Sequence, residues 1–157
     1  MMNDIIEMVE FVKSLASRPR GRACIVLTHG YDGQKEWAAE LARQTDSEHI
    51  DLLELFAADE TLSGNISQFS VPKLFEFLKD KCRKPVLIVS GIEFLKATWS
   101  GRASAVEEFA TKVEFWDKKN APGLLFVLQH DSALASRPFL RFKQHTFVVN
   151  QKETLAL

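Results

Sequence analysis

An apolar run, two glycines, a lysine and an acid follow one another in Cys24-Ile-Val-Leu-Thr-His-Gly-Tyr-Asp-Gly-Gln-Lys-Glu-Trp37. The stretch reads as a short buried strand, a turn, and the start of a helix. That arrangement is one way in which a protein collects an anion. The first amides of the helix have no partner within the helix, and its dipole adds positive potential at that end. A lysine beside them supplies a full charge. The residues that would surround a phosphate are His29, Gly30, Tyr31, Asp32, Gly33, Gln34, Lys35 and Glu36.

The best-known sequence for such a turn is G-x-x-x-x-G-K-[ST], and here it is damaged. Anchored on Lys35, the first glycine slot holds His29, the second holds Gln34, and the hydroxyl slot holds Glu36. Gly30 and Gly33 each stand one position away from a glycine slot. Gln34 puts a Cβ where the backbone needs freedom close to phosphate. Glu36 places a carboxylate where a hydroxyl would assist a cation. As a residue of the helix's first turn it would instead stabilise the helix's positive end.

The elements that must hold this turn can be read from apolar patterning. Asn3 or Asp4 is placed to cap a first helix with Ile5, Ile6, Val9, Val12 and Leu15 on one face. Continuous apolar runs at Ala23–Thr28, Pro85–Ser90 and Gly123–Gln129 have the character of strands buried on both faces of a parallel sheet. His49–Phe56 reads as a further strand and Thr146–Val149 as a short fifth. Helices are expected at about 35–44, from Val71 with Pro72 at an early position, at 92–99, and from about 103 to 118, with a helical turn at 132–136. The polar stretch 57–70 reads as a loop. Strands alternating with helices predict a single α/β domain over 1–157: a three-layer sandwich with a mainly parallel five-stranded sheet.

Composition sets the remaining bounds. The chain has 157 residues and a formal net charge of −1, so no basic excess points to nucleic acid except indirectly. Arg18, Arg20 and Arg22 form the one local basic cluster. The two cysteines, Cys24 and Cys82, lack metal-ligand spacing and suit free thiols in a reducing compartment. No basic leader precedes an apolar run, and the apolar runs are of strand length, so the expectation is a soluble cytoplasmic protein with no membrane association. Twelve phenylalanines against one tyrosine leave some available for a partner surface. Trp99 is the candidate for an exposed aromatic anchor, with core burial as its alternative.

Taken together, the strand ends resemble the core of P-loop NTPases of the AAA-like branch. Val86-Leu-Ile-Val-Ser-Gly-Ile-Glu93 resembles a Walker B strand, Gln129-His130-Asp131 falls where that branch places a polar sensor, and Ser132–Phe142 resembles the segment bearing an arginine before the last strand. In size and pattern the chain is similar to the small P-loop proteins of BREX phage-defence systems. The resemblance implies a nucleotide site at His29–Glu36 with Glu93, and ATP with Mg²⁺ as the ligand. In that family Mg²⁺ is held by the P-loop hydroxyl and a Walker B aspartate. Those slots here hold Glu36 and Ser90, and only Lys35 keeps its role by position. The expectation is therefore an accessory subunit with weak or absent nucleotide binding, no catalytic residues and no bound metal. It would act through protein partners in a larger assembly, or as a homo-oligomer. The family's helical lid is not expected after the core. A genuine ATP-binding ATPase is the alternative.

A second resemblance concerns His29-Gly30 after the first strand, which is similar to the oxyanion turn of α/β hydrolases. That fold requires a G-x-S-x-G elbow. The only serine so placed, Ser90, is flanked by Ile88 and Ile92, and the histidines that could serve it, His130 and His145, have no distinctive setting.

Overall fold

The middle of the sheet is built from chain segments that water cannot reach on either side. In the computed structural model, which describes residues 5–30, 32–99 and 104–157, all six residues of β1 (Ala23–Thr28) are buried, as are all five of β3 (Val86–Ser90). In β4 (Gly123–Gln129) only the last residue is exposed. With β2 (Glu48–Asp51) and β5 (Val148–Asn150) they form one five-stranded sheet in the order β2-β3-β4-β1-β5. Every pairing in it is parallel.

Helices cover both faces. On one lie α1 (Met8–Ser17) and α2 (Gln34–Thr45), whose Met8, Val12, Leu15, Ala38 and Leu41 pack against Cys24, Val26, Ile88 and Val127. On the other lie α3 (Leu52–Ala57), α4 (Glu60–Gly64), α5 (Val71–Leu78), α6 (Glu93–Trp99), α7 (Ala105–Glu114) and α8 (Ser132–Ser136). Most of the aromatic residues are spent on this second face. Phe75, Phe109 and Phe126 meet with ring centroids 4.9–5.7 Å apart. Trp99 is 2 % exposed and its indole donates to Phe69 O, so it is core and not an anchor.

The resemblance of the ends of β3 and β4 to Walker B and sensor strands suggests that β1 adjoins both, and the strand order corrects this: β1 adjoins β4 alone of the two. It lies between β4 and β5, and β4 separates it from β3. The order accounts for the face that each connecting helix takes. From β2 through β3 and β4 to β5 the chain moves one way across the sheet. From β1 to β2 it moves the other way, and right-handed crossovers then require α2 on the opposite face. β1 and β4 are thus neighbours whose following helices leave to opposite faces. In open α/β sheets, a crevice at the carboxyl ends of two such strands is where ligands bind.

Three further expectations are corrected. The second strand stops at Asp51, because Asp51 accepts the Glu54 amide at 3.0 Å and caps α3, and Leu52 and Phe56 then share a buried helical face. The stretch 57–70 is not a bare loop: it holds α4, capped by Asp59, and a 3-10 turn at Ile66–Gln68. The first helix begins at Met8 under a Glu7 cap, while Ile6 pairs instead with the strand-like Thr154; Asn3 and Asp4 lie outside the described residues. The expected break at Ser100–Gly101 and the start of the next helix at Ala103 also lie outside them. None of the described helices is long and apolar enough to cross a membrane.

Candidate functional site

Register brings the polar ends of the apolar strands to one level. Thr28 stands beside Gln129, Leu27 beside Asn150, and Ser90 beside Asp51. Just beyond them, Gly33 adopts a left-handed backbone at φ +77° and turns the chain into α2. That conformation suits glycine, and it aims the next residue inward. Gln34 is 2 % exposed.

The Gln34 side chain ties the exits of β1 and β3 together, and Glu93 adds that of β4. Gln34 Nε2 donates to Glu93 Oε2 at 3.0 Å and to Thr28 Oγ1 at 3.4 Å, and its Oε1 accepts the Gly91 amide at 3.3 Å. Glu93, the first residue of α6, also accepts the Gln129 amide at 2.6 Å. Its second oxygen, Oε1, is buried with no hydrogen-bond partner. The residue that fills the second glycine slot thus acts as a peg, and the first acid after β3 holds it from below.

The charged residues of the turn go elsewhere. The Lys35 ammonium pairs with the Glu54 carboxylate on α3 and is about half exposed, so it does not fold back over the Gly30–Gly33 loop. Glu36 is exposed in the first turn of α2, where its charge favours the helix dipole. Asp32 and His29 are exposed, and Gly30 accepts the Thr28 hydroxyl at 2.8 Å through its carbonyl. Tyr31 lies outside the described residues. The structure therefore brings Gln34 and Glu93 into contact, and disperses Lys35 and Glu36 to the surface.

Sequence reading missed a second polar constellation, one strand farther along. Ser90 is fully buried; its hydroxyl donates to Asp51 Oδ2 at 2.9 Å and lies 2.8 Å from His49 Nε2. A hydroxyl has one proton, and here it goes to the carboxylate, so His49 Nε2 must carry its own proton and donate. A serine in that state is not activated: no base takes its proton, and no substrate reaches it. A polar residue closing each apolar run was the available signal for this cluster.

Burial lowers the His49 pKa from its ordinary value, with Lys35 acting in the same direction and Asp51 against it. Burial also lowers His145. The unfolded chain then binds more protons than the folded one near and below pH 6.5, so stability is full above that pH and falls as the pH drops through it. Thermal melts at pH 7.5 and pH 5.5 are expected to show the lower midpoint at pH 5.5. His49→Gln, which keeps a donor to Ser90, is expected to reduce that difference.

The remaining candidates are structural. Arg137 and Arg141, in the segment expected to carry an arginine toward the site, turn to α7. Arg137 bonds Glu107 and the buried Glu114, while Arg141 pairs with Asp117. Arg18 and Arg22 are each 8 % exposed and donate to main-chain carbonyls of Gly21, Lys118 and Ala121. The expected basic cluster is therefore not a surface patch; Arg20 alone is exposed. Cys24 is buried and its thiol is pushed up to about 12, which leaves it unreactive. Among the described residues no group of three metal-ligating side chains is found.

No protein-family model matches the chain, and no characterised protein matches it either.

Proposed function

We propose that this chain is an accessory module of P-loop-like architecture that does not turn over ATP and acts through a protein partner. One observation carries the reading: the Gln34 amide is locked between Thr28, Gly91 and Glu93 at the place where a phosphate loop needs a bare backbone. The neighbouring charges support it. Lys35 is engaged with Glu54, and Glu36 faces solvent at the end of α2 where a phosphate would add a second negative charge. Phe115 and Leu140, 54 % and 71 % exposed, supply apolar surface for a partner.

A second reading, Mg–ATP binding, is favoured by one feature. Glu93 Oε1 is buried without a partner at the crevice between β1 and β4, and a carboxylate oxygen in that state can be satisfied by a hydrated cation. The two readings separate in a thermal melt with and without Mg–ATP or ADP. A ligand that binds only the folded state stabilises it by about 2.7 kcal/mol at a hundred times its dissociation constant. The accessory reading expects no shift at millimolar nucleotide. A shift of several degrees that is lost in Lys35→Ala would establish the second reading.

A further inference from the structure

We propose that the cleft at the carboxyl ends of β4, β1 and β5 binds a small phosphate ester as its dianion, held by His29, His130 and Lys152. This site shares His29 with the expected nucleotide turn but uses neither Lys35 nor the amides of α2, so Lys35→Ala distinguishes the two. Its cavity measures about 240 Å³ and is lined from three neighbouring strand ends. His29 directly follows β1, His130 directly follows β4, and Asn150 and Lys152 end and follow β5. The His130 amide donates to Thr28 O at 2.9 Å and fixes the first two exits side by side.

The chemistry of the lining selects an anion. Three of its side chains can carry positive charge, two more (Asn150 and Gln151) offer amide donors, and none is acidic. The nearby carboxylates lie outside the lining. Asp131 is held by Lys96 at 2.8 Å and by the Leu134 amide at 3.1 Å, and Glu93 accepts from Gln34 and the Gln129 amide through Oε2 alone. Asp32 and Glu153 are exposed and line no part of the cavity. By contrast, the imidazoles of His29 and His130 and the Lys152 ammonium make no hydrogen bond or ion pair within the described residues, so their capacity is unspent. Donors that line one cavity from three neighbouring strand ends suit a tetrahedral oxyanion, and a second negative charge is matched by more than one cation. The volume exceeds that of phosphate itself, and Leu27 on one wall accommodates a small organic body.

The test is a titration of the whole chain with phenyl phosphate at pH 6.5, followed through the Cε1 protons of its four histidines. The proposal expects saturable shifts at His29 and His130 and none at His49 and His145, which serve as internal references. Lys152→Ala combined with His130→Gln is expected to weaken binding at least tenfold while the amide spectrum keeps its dispersion, and succinate is expected to bind at least tenfold more weakly than phenyl phosphate. Shifts that do not saturate, shifts that persist in the double variant, or equal binding of succinate would each overturn it.

Discussion

Gly91→Ala is expected to lower the melting temperature by roughly 6–12 °C, corresponding to about 3 kcal/mol in a domain of this size. Two effects combine. Gly91 has φ +71°, where a side chain costs on the order of 1–2 kcal/mol. Its added Cβ would stand 2.6 Å from Asp51 Oδ1 and 2.8 Å from Asp51 Cγ. Asp51 cannot retreat cheaply, since it holds the Ser90 hydroxyl and caps α3 through the Glu54 amide. Gly33→Ala is the control. Its φ is similar, +77°, but the space around it is open, so only the backbone term of about 1 kcal/mol is expected. Equal effects at the two glycines would show that Asp51 is not the obstacle.

Glu114→Ala is expected to cost about 3 kcal/mol, measured by chemical denaturation. Glu114 is 5 % exposed; it accepts Arg137 Nη1 at 3.1 Å and the Arg141 amide at 3.0 Å, joining α7 to the segment that leads into β5. Removing one partner of a buried pair strands the other, which is the costly case. Arg137 keeps Glu107, so the loss falls at the lower end of what such pairs give. Glu107→Ala, at an exposed carboxylate, is expected to cost less than about 1 kcal/mol. The reverse ranking would mean that the clamp runs through Glu107 and that Glu114 is a bystander.

Much of the fold was legible because the central strands are buried on both faces. β1, β3 and β4 are uninterrupted apolar runs of strand length, and their bounds follow the sequence almost residue for residue. The five-membered α8 was equally plain, for Asp131 caps it and Arg137-Pro138 ends it. Leu52–Phe56 was misread since a short apolar run fits strand and helix alike; the deciding contact is the cap from Asp51. Strand order was not legible, because loop lengths do not say which neighbour a strand chooses.

The candidate site was legible as a location and not as an arrangement. Gln34 and Glu93 meet at the strand ends, while Lys35 and Glu36 turn to the surface. Which way each side chain turns depends on distant partners: Glu54 draws Lys35 from nineteen residues away, and Glu93 meets Gln34 across fifty-nine. The arginines of 18–22 look like a basic patch until the carbonyls of Lys118, Ala121 and Thr146 are placed beside them. Asn150, Gln151 and Lys152 gave no signal at all, since only β5 pairing beside β1 brings them to the crevice.

Gln34 is locked between Thr28, Gly91 and Glu93, and Lys35 is paired with Glu54, so the turn after β1 is expected to bind no nucleotide. Titration of a fluorescent ATP analogue, with Mg²⁺, against the native chain and Lys35→Ala tests it most directly. The expected result is no saturable binding in the micromolar range, and the same weak signal for both proteins. Micromolar binding by the native chain that disappears in Lys35→Ala would contradict the account, since it would require Lys35 to leave Glu54 and close over the Gly30–Gly33 loop.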